Sequence, residues 1–316
     1  MPLRIEHELT IPDEYTLQRV DQAIAQLLPQ YSRSRLQQWL KSGGILVDGS
    51  KRKPKEKVFG GERVVVSVEE TGDENLAEDI PLDIVHEDDE LLVVNKPPGL
   101  VVHPGAGNPA GTLLNALLAH CPDISHVPRA GIVHRLDKET SGLLVVAKTL
   151  TSQNYLVQEI QARRVNRVYH AIVYGRVTRP EGSVEGAIGR HPVQRKKMAI
   201  RRDGKPARTW YRVLTHYLEH TLIECRLDTG RTHQIRVHMQ ELGFPLVGDP
   251  TYGGHFRLPK CGDEHLADVI REFRRQALHA RKLGFDHPVS GKTMNFQAPY
   301  PEDYEELLDF LEDWRE

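Results

Sequence analysis

Gly131-Ile-Val-His-Arg-Leu-Asp-Lys-Glu-Thr-Ser-Gly142 runs directly into the aliphatic stretch Leu143-Leu-Val-Val-Ala147. Gly131, Ser141 and Gly142 mark a tight loop, and the β-branched and aliphatic run behind it reads as a buried strand. A loop anchored on a strand is a rigid place for chemistry. Its candidate reactive group is Asp137, a lone carboxylate flanked by Arg135 and Lys138, with no second Asp or Cys/His set nearby to suggest metal work. Taken alone, an Asp between basic residues in a turn is usually a capping or salt-bridged residue.

The surrounding chain narrows the choice. Its 316 residues, 39% hydrophobic and 27% charged, suit one or two globular domains with ample core. Cys121, Cys225 and Cys261 are far apart and form no C-x-x-C pair, which argues against a disulfide framework or a zinc site and fits a reducing compartment. The first residues carry no apolar signal core, and no run approaches the ~18 apolar residues of a membrane span. A cytoplasmic protein with no membrane association is expected.

A net charge of -2 hides an uneven distribution. Glu69 to Asp79 is acidic and poor in large apolar residues, whereas Arg163 to Arg212 holds about fourteen Lys and Arg against about three Asp and Glu. That local field, interleaved with Tyr169, Tyr174, Trp210 and Tyr211, points to RNA, with Arg190, Lys196, Lys197 and, further on, Arg231 as candidate contacts.

Taken in order, residues 13–70 read as a small separate unit, 71–79 as an acidic linker, and 80–316 as a larger domain. In the small unit, Leu17, Val20, Ala23, Ile24, Leu27 and Leu28 make a helical face, and a second helix runs from a Ser32 cap through Leu36, Trp39 and Leu40 to Gly43-Gly44. Ile45-Leu-Val-Asp-Gly and Arg63-Val-Val-Val-Ser-Val then form a hairpin with an Asp-Gly turn. In the larger domain, strand follows strand. The expectations are a hairpin from Leu82 to Asn95, a short strand after Lys96-Pro-Pro-Gly, helices capped by Thr112 and Thr149, and strands at 167–175, 197–200, 207–215 and 221–227. A helix capped by Thr232 and carrying Arg236, a return to sheet at Gln276 and a closing amphipathic helix from Pro301 to Trp314 complete it. The class is α+β, with a mixed, mainly antiparallel sheet flanked by helices.

Two nucleotide-binding decoys are set aside. His103-Pro-Gly-Ala-Gly-Asn-Pro lacks a following Gly-Lys-Thr/Ser, and before Ser290-Gly-Lys-Thr293 the required Gly is Asp286 and Pro288 interrupts the loop. Neither the pair His233 and His238 nor the pair His216 and His220 has a spacing and setting that suits metal, so no metal is expected.

The wording His134-Arg-Leu-Asp-Lys-Glu-Thr-Ser-Gly142 resembles the catalytic motif of the RluA family of pseudouridine synthases. The resemblance implies that Asp137 is the nucleophile, that Tyr169 in Tyr-His-Ala is the active-site tyrosine, and that Arg236 in Gly230-Arg-Thr-His-Gln-Ile-Arg-Val-His is the arginine pairing the nucleophile. It further implies that Arg135 enters the RNA stack when a uridine is flipped out. The helix–helix–hairpin unit, with Arg19, Arg33, Arg35 and Lys41, is similar to the S4 RNA-binding domain. Within the family, Arg129-Ala-Gly-Ile-Val-His, His103-Pro-Gly-Ala-Gly-Asn-Pro, Arg190-His-Pro and Leu246-Val-Gly-Asp-Pro are similar to the D-type subgroup. The implied partner is large-subunit (23S) ribosomal RNA or the assembling large subunit, with uridines of the helix 69 stem-loop as targets. The reaction implied needs no cofactor. Open alternatives are a non-catalytic RNA-binding assembly factor and a synthase acting on other rRNA uridines; a monomer is expected.

Overall fold

The computed structural model describes residues 3–29, 31, 33–70, 76–105, 107–253, 264–313 and 315. The chain divides into two compact units, Met1–Leu76 and Ala77–Glu316.

In the first unit, strand β1 (Leu3–Thr10) precedes helices α1 (Val20–Leu27) and α2 (Arg33–Ser42) and strands β2 (Ile45–Val47) and β3 (Arg63–Glu70). The strands form an antiparallel sheet in the order β1-β3-β2. Val20, Ala23, Ile24, Leu36, Trp39 and Leu40 share one core with Ile45, Val64 and Val66. Asp48 and Gly49 both adopt left-handed φ values, 47° and 74°, as an Asp-Gly hairpin turn requires.

Two local expectations change. Strand β1 lies ahead of residue 13, where the sequence reading began the unit. Leu17, assigned to the first helical face, is instead left-handed (φ 67°) and 56% exposed. Its N–H is given to the carbonyl of Val58 at 2.8 Å, so the helix starts only at Val20. The expected Ser32 cap lies outside the described residues.

The second unit opens with β4 (Ile84–Glu87), β5 (Leu91–Lys96), α3 (Leu113–His120), β6 (Ser141–Ala147), α4 (Leu150–Gln161) and β7 (Asn166–Tyr174). It continues through β8 (Glu181–Glu185), β9 (Ile188–Arg190), β10 (Met198–Ile200), β11 (Arg208–His216) and β12 (His220–Leu227). The last elements are α5 (Gln234–Glu241), α6 (Glu264–Glu272), β13 (Leu278–Asp286), β14 (Thr293–Gln297) and α7 (Glu302–Glu312). Nine strands make one mixed sheet, ordered β4-β5-β6-β13-β7-β12-β11-β8 with β14 added on β13. Among the described strands only β6 and β13 pair in parallel. Strand β6 is buried along its whole length because both faces are covered. Leu144 and Val146 pack with Leu113, Leu114 and Leu117 of α3; Leu143 and Val145 pack with Leu156 of α4. This double burial is why the run reads as continuously apolar rather than alternating.

Thr149 caps α4 as expected, accepting from the Ser152 N–H at 3.1 Å. Thr232 does not cap α5. His233 takes that position with φ 57°, a left-handed turn that swings its ring towards Tyr252. The strand expected after Lys96-Pro-Pro-Gly is reduced to a single bridge between Val101 and Thr112. No helix among the described residues is long and apolar enough to cross a membrane.

Four buried histidines give the domain a built-in acid sensitivity. Burial pushes the pKa of His134 down to about 3 and those of His170, His220 and His279 to about 4. Each has one ring nitrogen without a hydrogen-bond partner among the described residues. Protonation would therefore leave an unpaired buried charge. Because the folded values lie below the unfolded 6.5, the unfolded chain binds more protons as pH falls from about 6.5 towards 4, and stability drops through that window. Between pH 7 and 5, where few carboxylates titrate, the urea-unfolding free energy is expected to fall by on the order of a few kcal/mol. A midpoint insensitive to pH over that range would contradict it.

Candidate active site

The loop bearing Asp137 is fixed from both ends by backbone that only glycine can supply. Gly131 has φ 74°, and a Cβ there would lie 1.8 Å from the carbonyl oxygen of Ala147; Gly142 has φ 109°, and its Cβ would lie 2.3 Å from that of Ala280. A side chain at either position would push the loop off β6 or β6 off β13.

Polar contacts hold the segment between them. The Lys96 ammonium, 1% exposed, donates to the carbonyls of Pro97, Leu100 and Lys138 at 2.8, 2.9 and 2.9 Å. Burial lowers its pKa to about 7 against the opposing pull of Glu139 and Asp137. Gln276 donates to the Thr140 hydroxyl at 3.0 Å, and Ser141 Oγ meets His279 Nδ1 at 2.9 Å. Arg275 donates to the carbonyl of Glu139 at 3.3 Å. The two residues ahead of Asp137 thus point in opposite directions: Leu136 is buried at 4%, while Arg135 is exposed.

Asp137, Tyr169 and Arg236, far apart in sequence, line one cavity of about 510 Å³. Arg236 Nη1 donates to Asp137 Oδ2 at 3.0 Å. The other side of the same guanidinium makes a two-pronged contact with Asp249, Nε to Oδ2 at 2.7 Å and Nη2 to Oδ1 at 2.9 Å. Asp249 also accepts from the backbone N–H groups of Thr251 and Tyr252 at 2.8 and 3.0 Å. Side-chain exposure falls inward, from 16% at Asp137 to 5% at Arg236 and 0% at Asp249. Flanked by two carboxylates, Arg236 has its pKa raised despite the penalty of burial. The Tyr252 ring stacks 4.9 Å from its Cζ.

Tyr252 connects a further side chain to the site. Its hydroxyl accepts from the Met198 N–H at 2.7 Å, so its own proton is free for His233 Nδ1 at 2.8 Å. That assigns the His233 proton to Nε2, which faces Asp137 Oδ2 across 3.9 Å. Burial lowers the His233 pKa, in keeping with a neutral ring. Tyr169 is 6% exposed, and burial, with Asp137 adding to it, raises its pKa. Its phenol therefore stays protonated and available as a donor at neutral pH.

The cavity wall also carries Arg129, Arg135, Arg167 and Arg231, and Asp137 is the only carboxylate among its described lining residues. Of the other basic residues singled out in the sequence, Arg190 and Lys196 are exposed at the β9–β10 hairpin, and Lys197 lies 6.0 Å from the Tyr252 ring. In the first unit, Arg35 stacks on Tyr31 and Trp39 at 5.5 and 5.3 Å, and Lys41 is exposed. Arg19 and Arg33 hold Asp21, which is fully buried, at 2.9 and 2.8 Å while keeping 36% and 43% of their side chains exposed. Cys121 and Cys225 are free thiols, and Cys261 lies outside the described residues. The sequence reading gave Asp249, Tyr252 and Lys96 no role in the site: Asp249 entered it only within the subgroup wording Leu246-Val-Gly-Asp-Pro, Tyr252 lies just beyond that wording, and Lys96 only led into a short strand.

The second unit thus sets a carboxylate–arginine pair in a basic cavity on a nine-stranded mixed sheet, and comparison with known proteins shows the class to which it belongs. A family model described as RNA pseudouridylate synthase matches residues 90–241, and an S4 domain model matches residues 18–64. Ribosomal large subunit pseudouridine synthase D of Pseudomonas aeruginosa is 53% identical over 99% of this chain and 98% of its own length. The protein of the same name from Salmonella typhimurium is 52% identical over 98% and 96%. Among solved structures, human RNA Pseudouridylate Synthase Domain Containing 4 has a TM-score of 0.58 at 26% identity, covering 72% of this chain and 92% of that one. Human RNA Pseudouridylate Synthase Domain Containing 1 has a TM-score of 0.53 at 30% identity, covering 74% and 87%. The chain belongs to the RNA pseudouridylate synthase family and is an enzyme of that class, with an S4 domain ahead of the synthase domain.

Proposed function

We propose that this enzyme isomerises uridine to pseudouridine in large-subunit ribosomal RNA in the cytoplasm, with uridines of the helix 69 stem-loop as its targets. The reaction breaks the ribose C1′–N1 bond, turns the uracil, joins C1′ to C5 and exchanges the C5 hydrogen for a proton on N1. Nothing is oxidised and no group is imported, so the chemistry needs only a nucleophile or base, a dry cavity and a grip on the base. The observation that carries the reading is Asp137 at the cavity mouth, 3.0 Å from the buried guanidinium of Arg236, with Tyr169 in the same wall. The pairing offsets the cost of holding the carboxylate out of water, and Tyr169 offers a flat apolar face with a hydroxyl donor. Arg135, exposed two residues from Asp137, occupies the gap left by a flipped base in this reading, its exposure and flat guanidinium supporting that role. The subgroup wording and the names of the full-length relatives support rRNA as substrate; the basic hairpin and the S4 unit supply phosphate contacts. The test is tritium release from large-subunit rRNA labelled at uridine C5, followed by mapping of the modified positions. Release confined to other RNAs, or mapped away from helix 69, would redirect the assignment.

A further inference from the structure

Among the described residues of the cavity wall, Arg167 is the one arginine that is buried without a carboxylate partner. It is 5% exposed, and its Nε and Nη2 have no hydrogen-bond partner among the described residues. No described carboxylate lies within ion-pair distance of it, whereas Arg236 has two. Its position is set by β7: Arg167 and Tyr169 are two residues apart on the strand, hence on one face, and both line the cavity with Asp137. The guanidinium lies against Gly230, where an added Cβ would come 3.0 Å from Nη1. It is close enough to oppose protonation of His134 and to ease ionisation of Tyr169. A buried cation with unused donors is costly unless the occupant of the cavity brings negative charge.

We infer that Arg167 is a catalytic residue that stabilises the negative charge of the departing uracil. When C1′–N1 breaks, the bonding pair stays with N1 and spreads onto O2 and O4 of the base. Arg167 donates to one of these oxygens. The pair is returned as C5 bonds to C1′, after which C5 loses its proton and N1 gains one. The charge therefore exists only between the two bond changes, which is where a fixed donor lowers a barrier most. The inference rests on the reading of the Asp137 cavity as the uridine site.

The experiment is single-turnover conversion of target RNA by Arg167→Met, with matched RNA carrying 5-fluorouridine at the target, scored as loss of the original nucleoside. Fluorine at C5 draws electrons from the ring, so the departing base needs less external stabilisation. Arg167→Met is expected to lose on the order of 10²–10³ in rate on uridine, with RNA affinity unchanged and a clearly smaller deficit on 5-fluorouridine. Arg167→Lys should recover part of the rate. Gly230→Ala, which presses on the guanidinium without removing it, should show the same base-dependent pattern and carries the test if Arg167→Met does not fold. Equal deficits on the two RNAs, or weakened RNA binding with an unchanged rate, would overturn the role. Activity in Asp137→Asn would instead sink the underlying reading of the cavity.

Discussion

Asp137→Asn is expected to abolish tritium release from RNA labelled at uridine C5 while leaving the fold intact. The two outcomes separate because of how the charges are arranged. Asn matches the shape of Asp and can still accept from Arg236, but it can neither attack a carbon nor take a proton. Arg236 keeps its two-pronged hold on Asp249 at 2.7 and 2.9 Å, so no buried charge is orphaned by the change. Asp137 is also the most exposed member of the series. The expected loss is on the order of 10⁴-fold or more in rate, with a urea-unfolding free energy within about 1 kcal/mol of wild type. Comparable release by the two proteins would exclude Asp137 from the chemistry, whatever the cavity looks like.

Arg236→Met departs from that pattern and strikes stability as well as rate. Among the described residues it leaves Asp249, 0% exposed, with only the N–H groups of Thr251 and Tyr252, and leaves Asp137 without its ion partner. Breaking a buried pair in this way costs about 3–5 kcal/mol. Arg236→Lys keeps the charge but loses the flat fork, and should fall between the two. The informative comparison is the double change Arg236→Met with Asp249→Asn. Removing the stranded carboxylate should return much of the stability but none of the tritium release. If Arg236→Met unfolds at the wild-type urea midpoint, the carboxylates do not depend on the guanidinium.

The parts of this protein that short-range pattern determines were readable in the sequence. The continuous apolar run after Gly142 predicted a buried strand, and Thr149 ahead of Leu156 and Ile160 predicted the start of α4. What went unread was set by partners distant in the chain. Leu17 fits a helical face by spacing, but its N–H is taken by Val58, which holds it left-handed. Thr232 has the chemistry of a cap, yet the demand of Tyr252 on His233 moves the cap one residue on. The same holds for the site. Asp137, Tyr169 and Arg236 were recognisable from family wording, and the cavity contains all three. Asp249 and Lys96 carried no signal of their own: a carboxylate before proline and a lysine at a strand end are ordinary until folding buries them against Arg236 and the loop carbonyls.

The parallel pairing of β6 with β13 has a consequence for how the enzyme comes into being. Ser141, at the foot of the reactive loop, meets His279 from a strand made 138 residues later. During translation the loop emerges long before the strand it leans on, and contacts this remote in sequence form late. A growing chain therefore carries Asp137 without a firm seat for it, and competence to modify RNA arrives only once β13 has been threaded beside β6.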